Sequence, residues 1–283
     1  MKKIIIIVVS ILITTSSNAK DVSEFFSNLI PGEGLTEASV EINDGDEDQL
    51  NFSILGLRNL EKKDSSNFFT QFSLMNTELN NKNRLITNIG LGNRILTHDK
   101  SMMLGANIFY DRDTFENHNR VSLGLEGKAH MLDLNLNFYE ALSNTVTVDD
   151  NDEKVLSGHE IAIASQIPYI PWTKFHYTDY LWEADKGAVD TKGKVYSLEM
   201  FLSPSVTMEG SFDKSGNTGV DDESSMKVAY VYPPRENRKT LADGLTTTNA
   251  FEKRDMSKEL TEKVRRNNKI VIETQGSIIV TSK

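Results

Sequence analysis

Residues 120–139 have the sequence RVSLGLEGKAHMLDLNLNFY, and this stretch decides the fold class. In its first half Val121, Leu123 and Leu125 alternate with polar residues, and the leucines of 132–136 do the same in its second half. Successive side chains of a β-strand point to opposite faces, so a period of two is typical of a strand with one apolar and one polar wall. The stretch therefore predicts two strands that each have one apolar and one polar face.

The same alternation recurs over most of the chain. We assign twelve segments, with approximate spans 35–43, 48–60, 66–77, 83–97, 101–112, 119–128, 131–141, 155–167, 172–182, 192–202, 205–214 and 225–232. Most are close to the about 9–11 residues that a tilted strand needs to cross a bilayer. All six prolines lie at or beyond segment ends, as expected because proline cannot donate a ladder hydrogen bond.

The connections between these segments fall into two classes of length. We number the connections in chain order, beginning with the one after the first segment. The even-numbered connections, such as 98–100 and 203–204, are tight. Odd-numbered connections such as 144–154 and 214–224 are long and rich in Asp, Asn and Gly. Short periplasmic turns and longer outside loops are typical of transmembrane barrels. The sequence predicts an all-β fold, a twelve-stranded antiparallel transmembrane β-barrel, with a soluble exported β-sandwich as the alternative.

Composition argues against several other classes of protein. The 283 residues include 31 Lys and Arg against 41 Asp and Glu, a formal net charge of −10 that argues against nucleic-acid binding. Cysteine is absent, which excludes a disulfide framework, a thiolate nucleophile and cysteine-ligated metals. The five histidines show no metal-binding spacing, and no phosphate-binding loop or nucleophile elbow is found. We predict no enzyme, no metal site and no cofactor.

The N-terminus carries an export signal. Lys2 and Lys3 precede an apolar run over residues 4–13, and small residues occupy 17 and 19 before a cut after Ala19. Ten apolar residues would span only about 15 Å as a helix, too short for a bilayer core of about 30 Å. We therefore expect residues 1–19 to be a cleaved signal peptide.

The two walls of the strands predict two environments. The proposed lumen-facing residues carry charges of both signs: Glu37, Glu41, Arg94, Asp111, Arg120, Glu126, Lys128, Asp133, Glu160, Lys174, Glu199, Glu209 and Lys227. The proposed lipid-facing residues are Val121, Leu123, Leu125, Leu132, Leu134, Leu136, Leu198, Met200 and Leu202. Paired lumen charges that hold a plug or linker explain the polar wall better than acid–base catalysis, because nothing marks a substrate cleft.

The residues after the last strand are predicted to form a short helical linker in or below the lumen, which either returns through the barrel or remains as a free tail on the periplasmic side. Met256, Leu260 and Val264 recur at i, i+4 and i+8, which predicts a short helix over 251–266, about 24 Å long. Its charged side chains would pair with the mixed-sign wall. Two short segments around residues 274–276 are predicted to form a hairpin or the first strand of a passenger.

Several motifs, in order, resemble those of one family. They are Asn88–Arg94 (NIGLGNR), Met103–Asp111 (MLGANIFYD), Arg120–Glu126 (RVSLGLE), Ser157–Glu160 (SGHE), Ile167–Trp172 (IPYIPW) and Arg265–Val271 (RRNNKIV). Together they are similar to the inverse autotransporter β-domain, the translocator barrel of intimin and invasin. The resemblance covers nearly the whole mature chain.

This resemblance implies protein export by type Ve secretion in the outer membrane of a Gram-negative bacterium. Its implied partners are outer-membrane lipid, the barrel-assembly machinery and periplasmic chaperones, and we expect a monomer. The expected organisation is a signal peptide over 1–19, a periplasmic segment over 20–34, the barrel over 35–234, and a linker helix with a short β segment over 235–283.

The family usually continues into extracellular immunoglobulin-like or lectin-like modules, whereas this sequence ends at Lys283. We therefore expect a translocator-type barrel that lacks a large passenger. The alternatives are a plugged channel or structural outer-membrane barrel, and a soluble exported β-sandwich that binds a partner.

Overall fold

The computed structural model describes residues 31–44, 49–79, 82–184, 189–236, 238–246, 248–274 and 277–279. The predicted signal peptide and its cleavage site after Ala19 lie outside these residues. Twelve antiparallel strands close into a barrel. They are β1 (Gly34–Asp44), β2 (Gln49–Lys63), β3 (Ser66–Leu79), β4 (Lys82–Leu96), β5 (Met103–Asp113), β6 (Asn119–Lys128), β7 (Leu132–Ala141), β10 (Ser157–Ile167), β11 (Ile170–Glu183), β12 (Thr191–Phe201), β13 (Val206–Ser215) and β14 (Glu223–Tyr232).

Each barrel strand pairs with its neighbours in the chain, and β1 pairs with β14 to close the circle. Closure removes the unpaired edges that an open sheet would expose. The predicted barrel is confirmed, and the soluble β-sandwich is wrong. Pro171 is the second residue of β11, one position inside the strand, and lies where the register between β10 and β11 is shifted. A proline is tolerated there because no ladder hydrogen bond is required of it.

Two ends of the barrel can be distinguished by their connections. We call the end that carries the odd-numbered connections the odd end. The opposite end carries the tight even-numbered turns, the start of β1 and the end of β14, and we call it the even end. The connection between β7 and β10 at the odd end contains a hairpin of β8 (Val146–Val148) and β9 (Asn151–Val155). The predicted loop over 144–154 is therefore partly strand. Asp149 and Asp150 form its tip with positive φ angles of 49° and 65°, as a tight two-residue hairpin turn requires.

The barrel is polar inside and apolar outside. The side chains of Arg94, Asp111 and Arg120 have no solvent exposure, whereas Leu123 and Leu125 on the outer wall are 58% and 52% exposed. A water-soluble protein buries its aliphatic residues and exposes its charges, so this arrangement is the inverse of a soluble core. It is the arrangement of a barrel whose outer surface meets lipid.

The tail after β14 has little regular structure. It contains a 3₁₀ turn over Leu241–Asp243, a helix α1 over Met256–Glu259, and strands β15 (Ile272–Thr274) and β16 (Ser277–Ile279). Strands β15 and β16 pair with each other, as the hairpin prediction required, and β15 also pairs with β9. The resulting second sheet has the order β16-β15-β9-β8.

The predicted helix over 251–266 is wrong beyond the four residues of α1. Asp255 caps α1 by accepting a hydrogen bond from the backbone N–H of Ser257. After α1 the backbone carbonyls that would continue a helix are taken by side chains of the barrel, because Arg94 donates to Glu259 and Leu260. No helix among the described residues is long and apolar enough to cross a membrane.

Candidate functional site

The tail runs through the barrel from the even end to the odd end. Near the even end Tyr169 donates its backbone N–H to Ala250 at 2.8 Å, and Arg254 donates to the carbonyl of Ala129 at 3.1 Å. At the odd end β15 joins β9. Between these points the chain lies against the inward-facing side chains of the wall. We call residues 254–274 the threaded segment.

Apolar side chains of the threaded segment pack into four small clusters along the wall. Met256 and Leu260 lie near the even end and Val264 lies midway, so the apolar stripe identified in the sequence is buried although most of it is not helical. Met256 and Leu260 pack with Leu96 and Met103, and Val264 packs with Leu35, Leu55, Leu57, Phe69, Phe109 and Val231. Ile270 and Ile272 pack with Met75, Leu79, Ile86 and Val155. Val271 packs with Tyr139, Leu156, Tyr180, Trp182 and Val195. The clusters place the segment along the barrel axis.

A buried charge cluster lies in the lumen, in the odd-end half of β5 and β6. The carboxylate of Asp111 on β5 pairs with Arg266 of the threaded segment at 2.6 Å and with Arg120 on β6 at 2.8 Å. Arg266 also donates to the hydroxyl of Ser122 at 3.0 Å. The guanidinium of Arg266 lies 4.4 Å from the ring centre of Phe109, a cation–π contact. Burying charges is costly unless they are paired and hydrogen-bonded, and in this cluster one carboxylate pairs with both guanidinium groups.

Further ion pairs join the threaded segment to the wall. Most of them place a basic residue of the tail against an acidic residue of the barrel. They are Lys263 with Glu37 at 2.7 Å, Arg265 with Glu209 at 2.5 Å, Lys269 with Glu41 at 3.3 Å and Arg254 with Asp133 at 2.5 Å, with Glu259 against Lys128 at 3.0 Å as the reversed case. The pairs set the position of the segment along the lumen.

The wall also binds the backbone of the threaded segment. Gln71 accepts the N–H of Val264 at 2.8 Å, and the hydroxyl of Tyr139 accepts the N–H of Asn267 at 2.8 Å. Arg120 donates to the carbonyl of Asn267 at 2.8 Å. These contacts satisfy backbone groups that a non-helical segment would otherwise bury without partners.

Sequence reasoning missed the uncharged residues that make these backbone contacts. They share the inward face with the charged residues, so the period-two alternation is the signal that points to them. They are Asn67, Gln71, Asn88, Asn137 and Tyr139.

The structure places the thirteen predicted lumen residues on the polar wall of the barrel. Nine are buried: Glu37, Glu41, Arg94, Asp111, Arg120, Glu126, Lys128, Asp133 and Glu160. Four are half-buried: Lys174, Glu199, Glu209 and Lys227. Several also pair within the wall, including Arg94 with Glu126 at 2.7 Å and Lys174 with Asp133 at 2.8 Å.

The predicted lipid-facing residues lie on the opposite wall. Four of them are exposed: Leu123, Leu125, Leu132 and Leu134. The others are half-exposed: Val121, Leu136, Leu198, Met200 and Leu202.

Comparison with known proteins supplies the family. A sequence profile described as "Inverse autotransporter, beta-domain" matches residues 15–268. The chain belongs to the inverse autotransporter β-domain family. No curated protein sequence matches the chain.

Solved structures resemble this inverse autotransporter barrel in fold. One is a chain solved in a study of the in-meso crystallization of membrane proteins, with 20% identity, a TM-score of 0.68, and coverage of 85% of this chain and 100% of that chain. An outer-membrane channel from Pseudomonas putida F1 is 11% identical, with a TM-score of 0.48 and coverage of 72% and 97%. The KdgM porin is 8% identical, with a TM-score of 0.47 and coverage of 69% and 98%. The first of these supports the fold alone.

Two glycines of the inverse autotransporter motif NIGLGNR make room for the threaded segment. Gly92 faces the ring of Phe69, and a Cβ atom there would lie 2.3 Å from that ring. Gly90 faces Phe109 in the same way, at 2.4 Å. Both rings therefore lie close against the wall in the cluster of Val264, and the ring of Phe109 also contacts the guanidinium of Arg266. Glycine in a strand often marks such a close approach.

A buried charge cluster that the sequence did not predict fastens the β8–β9 hairpin to the odd end of the barrel. Glu153 on β9 pairs with Arg84 on β4 at 2.6 Å and with the Nε2 atom of His118 at 2.9 Å. Arg84 also pairs with Asp113 at 3.3 Å. The hairpin in turn carries β15, so the end of the threaded segment is tied to the barrel rim. Sequence reasoning missed the cluster because its members are far apart in the chain.

The threaded segment leaves some lumen unfilled. A cavity of about 110 Å³ lies between it and the wall of β1, β2 and β13, bordered by Ser39, Ser53 and Ser211. A larger cavity of about 1100 Å³ opens at the even end. Within the described part of the chain, no three His, Asp or Glu side chains are grouped so that they could hold a metal ion.

Proposed function

We propose that this outer-membrane translocator-type barrel exports and anchors the polypeptide that follows its threaded segment. The observation that carries the proposal is the path of that segment through the lumen, with both its side chains and its backbone bound by the wall. In the proposed orientation the even end faces the periplasm and the odd end faces the cell exterior.

The two kinds of wall contact suit the two stages of such a task. Any extended chain offers backbone N–H and C=O groups, so residues such as Gln71 and Tyr139 can bind successive peptide units whatever the sequence. The ion pairs of Lys263, Arg265 and Arg266 need particular side chains. They would therefore stop and hold the chain when this segment reaches the lumen.

The same proposal includes the finer points of location and assembly. The chain would reach the outer membrane of a Gram-negative bacterium after cleavage behind Ala19, with help from periplasmic chaperones and the barrel-assembly machinery. It would act as a monomer without catalytic activity. Within residues 235–283, the part up to residue 274 would be the linker through the lumen, and the short β segment after it would be the start of the exported polypeptide.

An epitope inserted at Asp150 tests the orientation. Asp150 is at the tip of the β8–β9 hairpin, which extends from the odd end. We expect antibodies to label the epitope on intact cells, with the barrel still folded. The matched control is the same epitope inserted between Asp99 and Lys100 in an even-end turn, where labelling should require permeabilisation. The reverse pattern would invert the topology.

Arginine substitutions on the outer wall test the membrane contact. Leu123 lies in the middle of β6 and Leu132 at the even end of β7, and both side chains are exposed. We expect Leu123→Arg to lower the free energy of unfolding in lipid vesicles by about 2–4 kcal/mol and Leu132→Arg by about 0–1 kcal/mol, because the cost of a charge falls with distance from the bilayer midplane. Equal effects at the two sites would show that this wall does not meet a membrane.

A further inference from the structure

The outer wall carries a group of lysines at the odd end. Lys192 and Lys194 on β12 and Lys214 on β13 are exposed. The residues between them, such as Gly193, Val195 and Asp213, are buried on the inner wall, so the three lysines share the outward face. We call them the lysine triad. Arg112 on β5 is the one other Lys or Arg at an outward position in the odd-end half of the described barrel strands.

Two members of the lysine triad lie opposite each other on adjacent strands. Lys194 and Lys214 are direct partners in the register of β12 and β13. Residues opposite each other on adjacent strands have Cβ atoms about 4.5–5.5 Å apart, and like charges at such positions destabilise a sheet. Among the described residues no carboxylate lies within ion-pair distance of the three lysines. Asp179, which is opposite Lys194 on the other side, instead accepts the hydroxyl of Tyr177 at 3.2 Å.

The surface next to the triad is aromatic and then aliphatic. Tyr196, two residues from Lys194 toward the even end, packs against Tyr177 with ring centres 5.6 Å apart and is opposite Phe212 in the register. Leu198 and Met200 continue the outward face of β12 toward the even end. The triad therefore lies at the boundary where the apolar band of the barrel ends.

We propose that the lysine triad binds a phosphorylated lipid of the leaflet at the odd end, with the phosphates on the lysines and the acyl chains along the apolar band. A shared phosphate between Lys194 and Lys214 would convert their repulsion into attraction, and lysine is a common phosphate-binding residue. The aromatic pair would lie at the level of the headgroup, where tyrosines are enriched in membrane barrels. The identity of this leaflet as the outer one rests on the proposed function.

Binding of a fluorescent, diphosphorylated lipid A to the folded, full-length barrel in detergent tests the proposal. We expect Lys194→Gln/Lys214→Gln to weaken binding about 30-fold, which is about 2 kcal/mol at 1.4 kcal/mol per tenfold. This follows from about 1 kcal/mol for each lysine at an anionic lipid surface. The control Lys62→Gln/Lys63→Gln makes the same change in net charge at the even end and should bind within twofold of the unmodified protein.

Two further measurements identify the ligand. The same glycolipid without phosphates should bind poorly, and inorganic phosphate should not displace lipid A.

Unchanged binding in the double variant, equal binding of the dephosphorylated lipid, or displacement by inorganic phosphate would each overturn the proposal. The assay in detergent does not depend on orientation. Failure of surface labelling at Asp150 would therefore overturn the proposed topology while leaving this binding site in place.

Discussion

Asp111→Asn is expected to destabilise the barrel by about 3–5 kcal/mol, because removing one partner of a buried ion pair leaves an uncompensated charge. Asp111 is the carboxylate within ion-pair distance of both Arg120 and Arg266. Asparagine keeps the size of the side chain but leaves two buried guanidinium groups without their counter-charge. Chemical unfolding of the purified protein in lipid vesicles would measure the change.

The control and the pairwise test use the same assay. Glu140 is exposed on β7, and Glu140→Gln should change the free energy of unfolding by less than about 0.5 kcal/mol. The loss of unfolding free energy in the double variant Asp111→Asn/Arg266→Gln should be smaller than the sum of the losses in the two single variants by about 0.5–3 kcal/mol, because the two residues interact directly. A cost for Asp111→Asn no larger than that of Glu140→Gln would show that water, and not Arg266, surrounds the carboxylate.

Deletion of residues 235–283 is expected to raise the single-channel conductance of the barrel several-fold. The threaded segment occupies the lumen beside a cavity of only about 110 Å³, and its removal would let water and ions fill the whole interior. The wall itself should survive, because pairs such as Arg94–Glu126 and Lys174–Asp133 are made within the barrel. Recording in planar lipid bilayers would measure the conductance.

A shorter deletion separates plugging from a general disturbance. Removal of residues 277–283 takes away β16 but keeps β15 paired with β9. We expect its conductance to equal that of the full chain. If the long deletion leaves conductance unchanged while the barrel still shows heat-modifiable migration, the segment does not occupy the lumen in the membrane.

The sequence was sufficient to predict the barrel strands because their signal is local. Each strand alternates within itself, as Val121, Leu123 and Leu125 do against Ser122 and Glu126, and this period follows from the geometry of one extended chain. No knowledge of the neighbouring strands is needed. The same local signal placed Arg94, Asp111 and Arg120 together on the polar wall.

The tail shows where a local signal misleads. Met256, Leu260 and Val264 have helical spacing, and all three are buried, yet only four residues form α1. A helix continues only if its own carbonyls accept its own N–H groups, and Arg94 and Asn67 take the carbonyl of Leu260 instead. The three apolar side chains are therefore buried against the barrel wall without the helix that their spacing predicted.

The amino-acid sequence by itself determined the number of barrel strands, their faces and the charges that line the lumen, since each of these depends on residues close together in the chain. Only the tertiary structure decided which charges meet. Arg266 pairs with Asp111 across a separation of 155 residues, and Glu153 pairs with Arg84 across 69. Such partners are chosen by closure of the barrel and by the path of the tail, because an ion pair depends on distance in space and not on distance along the chain.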